Sequence, residues 1–541
     1  MNSVFSFGKK LQHLCSSIFL YLACLCGSTC FLISCLYKSI LFKVNKFLIQ
    51  FFYFIFISIF GFWILTILKP RSSTSDFTPR KLDLYFTSAS AVTVSSMSTV
   101  EMEVFSNSQL ILITFLMFVG GEVFISIVGL YLIRPKFKPW RKDRKIESVL
   151  SNTTSSSPRN SNFIEDIELD IVVIPDSPFQ DDFVSSDTQN LKYQCIKFLG
   201  VVTLVYLLAI HIIGASSVLV YLACVSSAKD VLRNKGLNTF TFAIFTIVST
   251  FASCGFVPTN ENMMVFSKNS GLLLILIPQV LFGNTLYPTC LRLSIWFLGK
   301  FFKKREAKYL LKRSREIGHL HLLPSQNSKL LVATVFGFIV VQVILFCSLE
   351  WNSSVLNGLN SYQKVVGSLF QVVNARHTGE TIVDISTIAP AILVVFIVMM
   401  YLPPYTSFIP VKGVVENPEE PVGEKQGRGK VVENLVFSQL CYLFLFIVLI
   451  CITERKRMKD DPLNFNVLNI TLEVVSAYGN VGFTTGYSCY RMINPDPTCK
   501  NKSYGFVGKW SDEGKIVIII VMFFGRLKKF NMEGGKAWKL L

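Results

Sequence analysis

Four short polar stretches of the sequence share one pattern, and each carries a small residue at the matching position. The stretches read SASAVTVSSMSTVEME, FTIVSTFASCGFVPTNEN, LFQVVNARHTGETIVD and LEVVSAYGNVGFTTG, and the matching residues are Ser96, Gly255, Gly379 and Gly482. Glycine adopts positive φ angles at little steric cost, which lets a loop turn its carbonyl groups towards an axis. Backbone carbonyls replace the water around a cation in selective pores. These residue types therefore predict a cation filter built from four loops.

The filter hypothesis rests on the register of the four stretches rather than on any one glycine. A lone glycine in a polar loop usually marks only a turn. Here the alignment also matches Phe86 with Phe245, Leu369 and Leu472, and Ser90 with Ser249 and Ser476. Internal repetition of this kind defines a structural unit. We expect the passing cation to lie near the four matched residues and near the residue before each one, Ser95, Cys254, Thr378 and Val481.

Acidic residues follow the matched position. Glu101, Glu103, Glu261, Glu380 and Asp384 all lie on its C-terminal side. Carboxylates at the mouth of a pore raise the local concentration of cations. The sequence therefore predicts an acidic outer mouth.

The composition of the chain is that of a membrane protein. Of its 541 residues, 51% are hydrophobic and 16% are charged, whereas soluble chains carry about 25% charged residues. The apolar residues form blocks of about 20, the length of a helix that crosses a bilayer. The sequence contains no Walker lysine loop, HExxH or GxSxG motif, and its five His are scattered. We predict a polytopic helical membrane protein that is not an enzyme and needs no cofactor.

The excess of basic residues can be interpreted in two ways. Lys and Arg number 53 against 35 Asp and Glu, a net charge of +18. Such a charge can indicate nucleic-acid binding, but the basic residues cluster beside apolar spans, at 134–145, 300–315 and 411–434, as the positive-inside rule expects. We therefore predict a lipid-embedded chain without a nucleic-acid partner. The apolar spans number eight, and every basic loop lies on one side of them, which places the N- and C-termini in the cytosol. We predict a multi-pass protein of the plasma membrane.

The four polar stretches then all lie on the outer side. They are too short to cross, so they must dip in and return, which is tolerated only where the backbone lines a watery path or is buried in protein. The predicted fold is all-α and polytopic, with four membrane–pore loop–membrane repeats and eight transmembrane helices around a central pore in pseudo-four-fold symmetry. The repeats are 47–133, 194–301, 328–410 and 435–541, joined by a basic and disordered cytosolic linker at 134–193 and by cytosolic loops at 302–327 (basic) and 411–434.

Residues 1–46 allow three interpretations, because 17–36 is apolar and flanked by lysines. A signal peptide needs a cleavage site followed by a mature domain, whereas another span begins here at once. An additional span would place the N-terminus outside. We favour a cytosolic segment or one that lies on the membrane surface.

Two predicted spans are irregular. Pro390, Pro403 and Pro404 should break the sixth span, at 388–409, because proline removes a helix donor and clashes with the preceding turn. In the eighth span only 516–525 is free of charge, which is too short to cross. If the helix continues, it carries Arg526 into the membrane, where an arginine is usually functional. The alternative is an arginine at a helix end that snorkels to the cytosol.

The predicted outer loops carry candidate modifications. Cys489 and Cys499 lie in a polar loop and could form a disulfide if that loop is outside the cell. Asn352 and Asn501 begin sequons in outer loops and are candidate glycosylation sites. Asn469 begins a third sequon at the start of a pore stretch, and a sugar fits there only if the side chain faces out.

The repeated unit resembles the Trk/Ktr/HKT superfamily of cation transporters, and the plant HKT transporters in particular. The resemblance runs from about Phe47 to the C-terminus and includes TVSSMSTVEMEVFSN, STFASCGFVPTNENM, QVVNARHTGETIVD, MMYLPPYTSF and VSAYGNVGFTTGYS. Members with Ser at the first filter position belong to class I, described as Na⁺-selective, and those with Gly to class II, which also carry K⁺. By this resemblance Ser96 implies a passive Na⁺ uniporter or channel. The alternative is a K⁺ or Na⁺/K⁺ transporter.

The resemblance also implies roles away from the filter. Arg526 matches an arginine that faces the pore, and Asn284, in GNTLYP, matches a position linked to cation preference. The sixth span would divide into two helical pieces joined by a loop below the filter. A homodimer is implied in the same way.

Overall fold

The computed structural model describes residues 46–71, 79–134, 178–317, 319, 321–405, 439–493, 499, 501 and 505–531. These residues are mostly α-helical. In chain order the helices are α1 Lys46–Ile67, α2 Lys81–Val92, α3 Asn107–Gly120, α4 Glu122–Ile133, α5 Pro178–Cys224, α6 Ser226–Asn234, α7 Thr239–Phe251, α8 Ser270–Gly283, α9 Tyr287–Phe302, α10 Arg305–Lys312, α11 Ser314–Ile317, α12 Ser325–Glu350, α13 Ser361–Asn374, α14 Pro390–Tyr401, α15 Gln439–Thr453, α16 Arg455–Asp460, α17 Val467–Gly479 and α18 Asp512–Asn531. The segment predicted at 1–46, apart from Lys46, and the loop predicted at 411–434 lie outside the described residues.

One order of elements recurs along the chain. A first helix (α1, α5, α12 or α15) leads to a shorter pore helix (α2, α7, α13 or α17), then to an irregular loop and a second helix. The pore helices have 12 to 14 residues, too few to cross a bilayer. Asn238, Asn360 and Asn466 cap α7, α13 and α17, because each side chain accepts hydrogen bonds from the otherwise free N–H groups of the first turn. The polar stretches of the sequence thus form short, well-started helices that end inside the protein.

The second helices of the first two units are each broken in two, whereas the prediction of eight transmembrane helices implied one helix in each place. The break between α3 and α4 bends the chain by 54°, and the break between α8 and α9 bends it by 84°. Gly120 is the last residue of α3 and Gly283 is the last residue of α8. A Cβ at Gly120 would lie 2.1 Å from the carbonyl oxygen of Val92, the last residue of its pore helix. Each second helix therefore packs a glycine against the end of its own pore helix and turns just below it.

Three further segments bear on the expectations. Helix α14 ends at Tyr401, before Pro403 and Pro404, and residues 406–438 lie outside the described part, so the lower piece of the sixth span stays a prediction. Helix α18 continues through Arg526, which places that residue within the helix. The disordered linker expected at 134–193 ends too late, because α5 begins at Pro178. A helix nucleated by an apolar span extends into polar residues at little cost per residue.

The described helices have the lengths of a polytopic membrane protein. Three are long and apolar enough to cross a membrane, or five if each bent pair is counted as one span. The count of eight spans stays a prediction. Phe86, Phe245 and Leu472, which the repeat alignment matches, are fully buried in one core cluster, and Leu369 packs against it. The repeat positions therefore fill equivalent roles in the packing around the loops.

Candidate functional site

The four aligned residues all adopt left-handed backbone conformations. The φ angle is +52° at Ser96, +87° at Gly255, +69° at Gly379 and +99° at Gly482. Glycine accepts such angles freely, whereas a residue with a Cβ does so at a cost. The loops therefore share one conformation, and Ser96 adopts it against its intrinsic preference.

Contacts between neighbouring loops close these residues into a ring. The closest approach of a Cβ built on each glycine is to the next loop: 1.5 Å from Gly255 to the Thr378 carbonyl oxygen, 2.4 Å from Gly379 to the Val481 carbonyl oxygen and 2.2 Å from Gly482 to the Ser96 Cβ. The Cys254 thiol in turn reaches the backbone of Ser96. The loops therefore meet in the cyclic order one, two, three, four. The structure brings together all eight residues predicted to lie near the cation.

Glu380 does not lie at an outer mouth, contrary to expectation. It is fully buried, and the hydroxyl of Thr250, on the second pore helix, donates to its Oε1 at 2.5 Å. Glu473 in the fourth unit is also fully buried and accepts hydrogen bonds from the Thr484 hydroxyl and the Thr485 N–H. A carboxyl group is costly to bury without such partners. These two side chains therefore stabilise the loops through buried hydrogen bonds and do not form part of an acidic outer mouth.

Two of the other expected mouth carboxylates share a lysine. The ammonium of Lys235 donates to Glu103 and to Glu261, at 2.6 Å each. Partial burial lowers the pKa of Lys235, but the hydrogen bonds from these carboxylates outweigh it and the net pKa is raised. The lysine is therefore charged at neutral pH and offsets part of the negative charge. Asp384 caps a 3₁₀ turn through the Ser386 N–H. The charge of Lys235 makes the mouth less acidic than the carboxylates alone suggest.

Arg526 contacts the first helix break, and Asn284 lies at the second. Arg526 is only 1% exposed and donates to the Gly120 carbonyl oxygen at the first break. Its burial argues against a side chain that snorkels to the cytosol. The Asn284 amide donates to the Ser253 hydroxyl at 3.1 Å, one residue before Cys254. Whether either residue acts on permeating ions stays a prediction.

Asparagine side chains near the ring support it through partners that the sequence did not identify. Asn480 donates to the Ser95 hydroxyl at 2.8 Å, and Asn262 accepts from the Thr381 N–H at 3.3 Å. Both asparagines lie within the aligned stretches and have positive φ angles. Polar residues close to a filter position could have indicated side chains that support the loops. Their partners on other repeats could not be predicted from the sequence.

The outer-loop residues fall into different environments. Cys489 and Cys499 are joined by a disulfide, and Asn352 and Asn501 are exposed. Asn469 does not meet the condition of facing out, because its side chain is buried and donates to the Asn464 carbonyl oxygen at 2.9 Å. We therefore propose glycosylation only at the two exposed asparagines.

Comparisons with known proteins agree with this architecture. The sodium transporter HKT1 of Arabidopsis thaliana is 51% identical over 480 residues, which are 88% of this chain and 91% of that protein. The cation transporter HKT1;3 of Oryza sativa subsp. japonica is 46% identical over 508 residues, 92% of each chain. The crystal structure of the potassium transporter TrkH from Vibrio parahaemolyticus has a TM-score of 0.50 at 14% identity, covering 90% of this chain and 84% of that one. That structural likeness confirms the predicted class of fold, an all-α polytopic membrane protein.

A family model places the chain among transporters rather than enzymes. The model described as TrkH, cation transport protein, matches residues 183–410 and 413–532, which include three of the four ring loops. Together with the identity to the plant relatives over most of the chain, this match shows that the chain belongs to the HKT family of cation transporters, within the wider group of TrkH cation transport proteins.

Proposed function

We propose that the chain is a passive Na⁺ uniporter in which Na⁺ crosses the ring formed by Ser96, Gly255, Gly379 and Gly482. The observation that carries the proposal is the closed cycle of contacts between four loops of like conformation. Such a cycle surrounds an axis with backbone carbonyls, the groups that replace water around a cation. The printed name of a relative at 51% identity, sodium transporter HKT1, supports Na⁺ as the ion.

Ser96 is the position at which we propose that Na⁺ is preferred over K⁺. Its Cβ lies where it would be 2.2 Å from a Cβ at Gly482, so it fills space that a glycine would leave open. K⁺ is the larger ion and needs more room and more oxygen ligands at once. Na⁺ can pass a smaller opening with retained water. A tenfold preference needs about 1.4 kcal/mol, which one side chain at a close contact can supply.

The reversal potential in mixed Na⁺ and K⁺ solutions tests this proposal. We expect wild type to follow the Na⁺ gradient and Ser96→Gly to gain K⁺ permeability while keeping its Na⁺ current. Ser348→Gly, the same chemical change at an exposed helix position, is the matched control. Equal permeability ratios in wild type and Ser96→Gly would refute the role of Ser96. A wild type that follows the K⁺ gradient would favour the alternative, a K⁺ or Na⁺/K⁺ transporter.

We propose further that Arg526 acts on the permeation path from below the ring. Its burial and its hydrogen bond to the Gly120 carbonyl oxygen, at the helix break that packs on the end of pore helix α2, support this position. Arg526→Gln should change conductance or rectification at unchanged surface expression, and Arg526→Lys, which keeps the charge, should do so less. Wild-type currents in Arg526→Gln would contradict the proposal. Asn284, which supports the second loop, is the next position to test if Ser96 proves silent.

The membrane placement completes the proposal. We propose a protein of the plasma membrane with both termini in the cytosol, an orientation that the basic runs at 134–145, 300–315 and 411–434 support. We propose a homodimer from the resemblance to the HKT transporters. Terminal epitope tags should be labelled only after cells are permeabilised, and tags labelled on intact cells would overturn this topology. Chemical cross-linking between differently tagged copies tests the dimer.

A further inference from the structure

Asn480 occupies a junction between the first and fourth repeats. It lies two residues before Gly482, at the end of pore helix α17, is fully buried and has a φ angle of +49°. Its side-chain amide donates to the Ser95 hydroxyl at 2.8 Å and to the Met522 carbonyl oxygen at 3.0 Å. One side chain thus joins the ring loop of the first repeat, the pore helix of the fourth and the second helix of the fourth.

The hydrogen bonds at Ser95 run in a single direction. The Thr93 hydroxyl donates to the Ala89 carbonyl oxygen at 2.7 Å, so the Thr93 oxygen is left to accept. The Ser95 hydroxyl lies 2.8 Å from that oxygen, which makes Ser95 the donor there and leaves its own oxygen to accept from Asn480. The chain Asn480 to Ser95 to Thr93 to Ala89 therefore ends on pore helix α2. Removing the amide would leave the Ser95 oxygen buried without its donor.

The equivalent positions in other repeats bond elsewhere. Two residues before each ring residue stand Val94, Ser253, His377 and Asn480. Ser253 accepts from Asn284, and His377 bonds to the Thr285 hydroxyl, both at the break between α8 and α9. Like His377, Asn480 bonds to a residue of another repeat, but its partner Ser95 is the residue next to Ser96. Its position is therefore tied to the one ring residue that carries a side chain.

We infer that Asn480 is a positioning residue for ion selectivity, which holds Ser95 and thereby Ser96 against Gly482. The inference rests on the proposed function, since it assumes that Ser96 narrows the ring. Without the amide, the first loop can move away from the fourth. Because a single hydrogen bond is worth about 1 kcal/mol, we expect the preference for Na⁺ over K⁺ to fall about fivefold.

The informative variant is Asn480→Gly. Glycine accepts the left-handed backbone that this position needs and removes the side chain with its amide. We expect normal surface expression, a retained Na⁺ current and a K⁺-to-Na⁺ permeability ratio raised about fivefold. Asn466→Gly, which removes a cap at the opposite end of the same helix, is the matched control and should leave the ratio unchanged. An unchanged ratio in Asn480→Gly would overturn the inference.

A double-mutant cycle with Ser95→Ala separates positioning from general loosening. Ser95→Ala removes the same hydrogen bond from the other side, so it should shift the ratio in the same direction. Asn480→Gly should then add little in the Ser95→Ala background. Fully additive shifts would overturn the inference, as would an unchanged ratio in Ser95→Ala if the glycine variant fails to reach the surface. A wild type without Na⁺ preference would instead contradict the proposed function. Non-additive effects of the two substitutions would in that case still support the contact between Asn480 and Ser95.

Discussion

Neighbouring loops of the ring meet at contact lines, one between each pair of adjacent repeats, and two of these lines use different chemistry. Between the second and third repeats, Gly255 packs on a backbone carbonyl, and the Glu380 carboxyl is bonded to Thr250 behind it. Between the fourth and first repeats, Gly482 faces a serine side chain, and the neutral amide of Asn480 makes the bridge. The first line leaves no space for any side chain, whereas the second is built around one. We propose that the first line sets whether a ring forms and the second sets which ion it prefers.

The strongest way to break the first line is Gly255→Ala. The added Cβ would lie 1.5 Å from the Thr378 carbonyl oxygen, and backbone cannot give way there cheaply. We expect no measurable Na⁺ current per transporter at the surface. The control is Gly358→Ala, because Gly358 has a similar φ angle of +78° with nothing within 4 Å of its Cβ position. If Gly358→Ala is equally inactive, strain in the backbone and not the contact line is responsible.

A smaller effect is expected at the carboxyl group behind the same line. Glu380→Ala leaves the Thr250 hydroxyl buried without its acceptor, and we expect Na⁺ current per surface transporter to fall by about tenfold. Glu380→Gln keeps an acceptor oxygen of the same reach and should retain most of the current. Surface biotinylation beside current recording makes the measurement. Equal losses in the two variants would show that the negative charge, rather than the hydrogen bond, is required.

The smallest effect is expected at Lys235, which pairs with Glu103 and Glu261. These residues lie between the first and second repeats, a third contact line of the ring. Lys235→Met removes the positive charge beside Glu103 and Glu261. It should raise Na⁺ current at low ionic strength by about twofold, since carboxylates at a pore mouth raise the local cation concentration and salt screens this effect. Lys229→Met, an exposed lysine on α6, should have no such effect. A gain that persists unchanged at high salt would rule out an electrostatic origin.

Register was the property of the sequence that predicted the ring. Ser96 and its three glycines could be aligned because polar stretches recur between apolar spans, and the structure brings all four together. Partners of buried polar groups were not predictable, because Thr250 and Glu380 are 130 positions apart and Asn480 and Ser95 are 385 apart. The position of a carboxylate near a filter residue does not show whether it is exposed at the pore mouth or buried in a hydrogen bond.

The helix breaks were hidden for a different reason. Gly120 and Gly283 lie in runs of apolar residues and change neither hydropathy nor expected length, so the spans looked continuous. Their function is a close approach to a pore-helix carbonyl, and Gly525 makes the same approach to Tyr478 without a break. A glycine at one register position in the first, second and fourth repeats was the available signal, and the third repeat obscures it with Met400.

The short pore helices have an electrical consequence. All four end a few residues before the ring, so their C-terminal ends converge on it. Each helix dipole is equivalent to roughly half a negative charge at that end, which amounts to about two negative charges in total. Exclusion of anions therefore comes from the peptide backbone itself, and it should survive the loss of every carboxylate around the entrance.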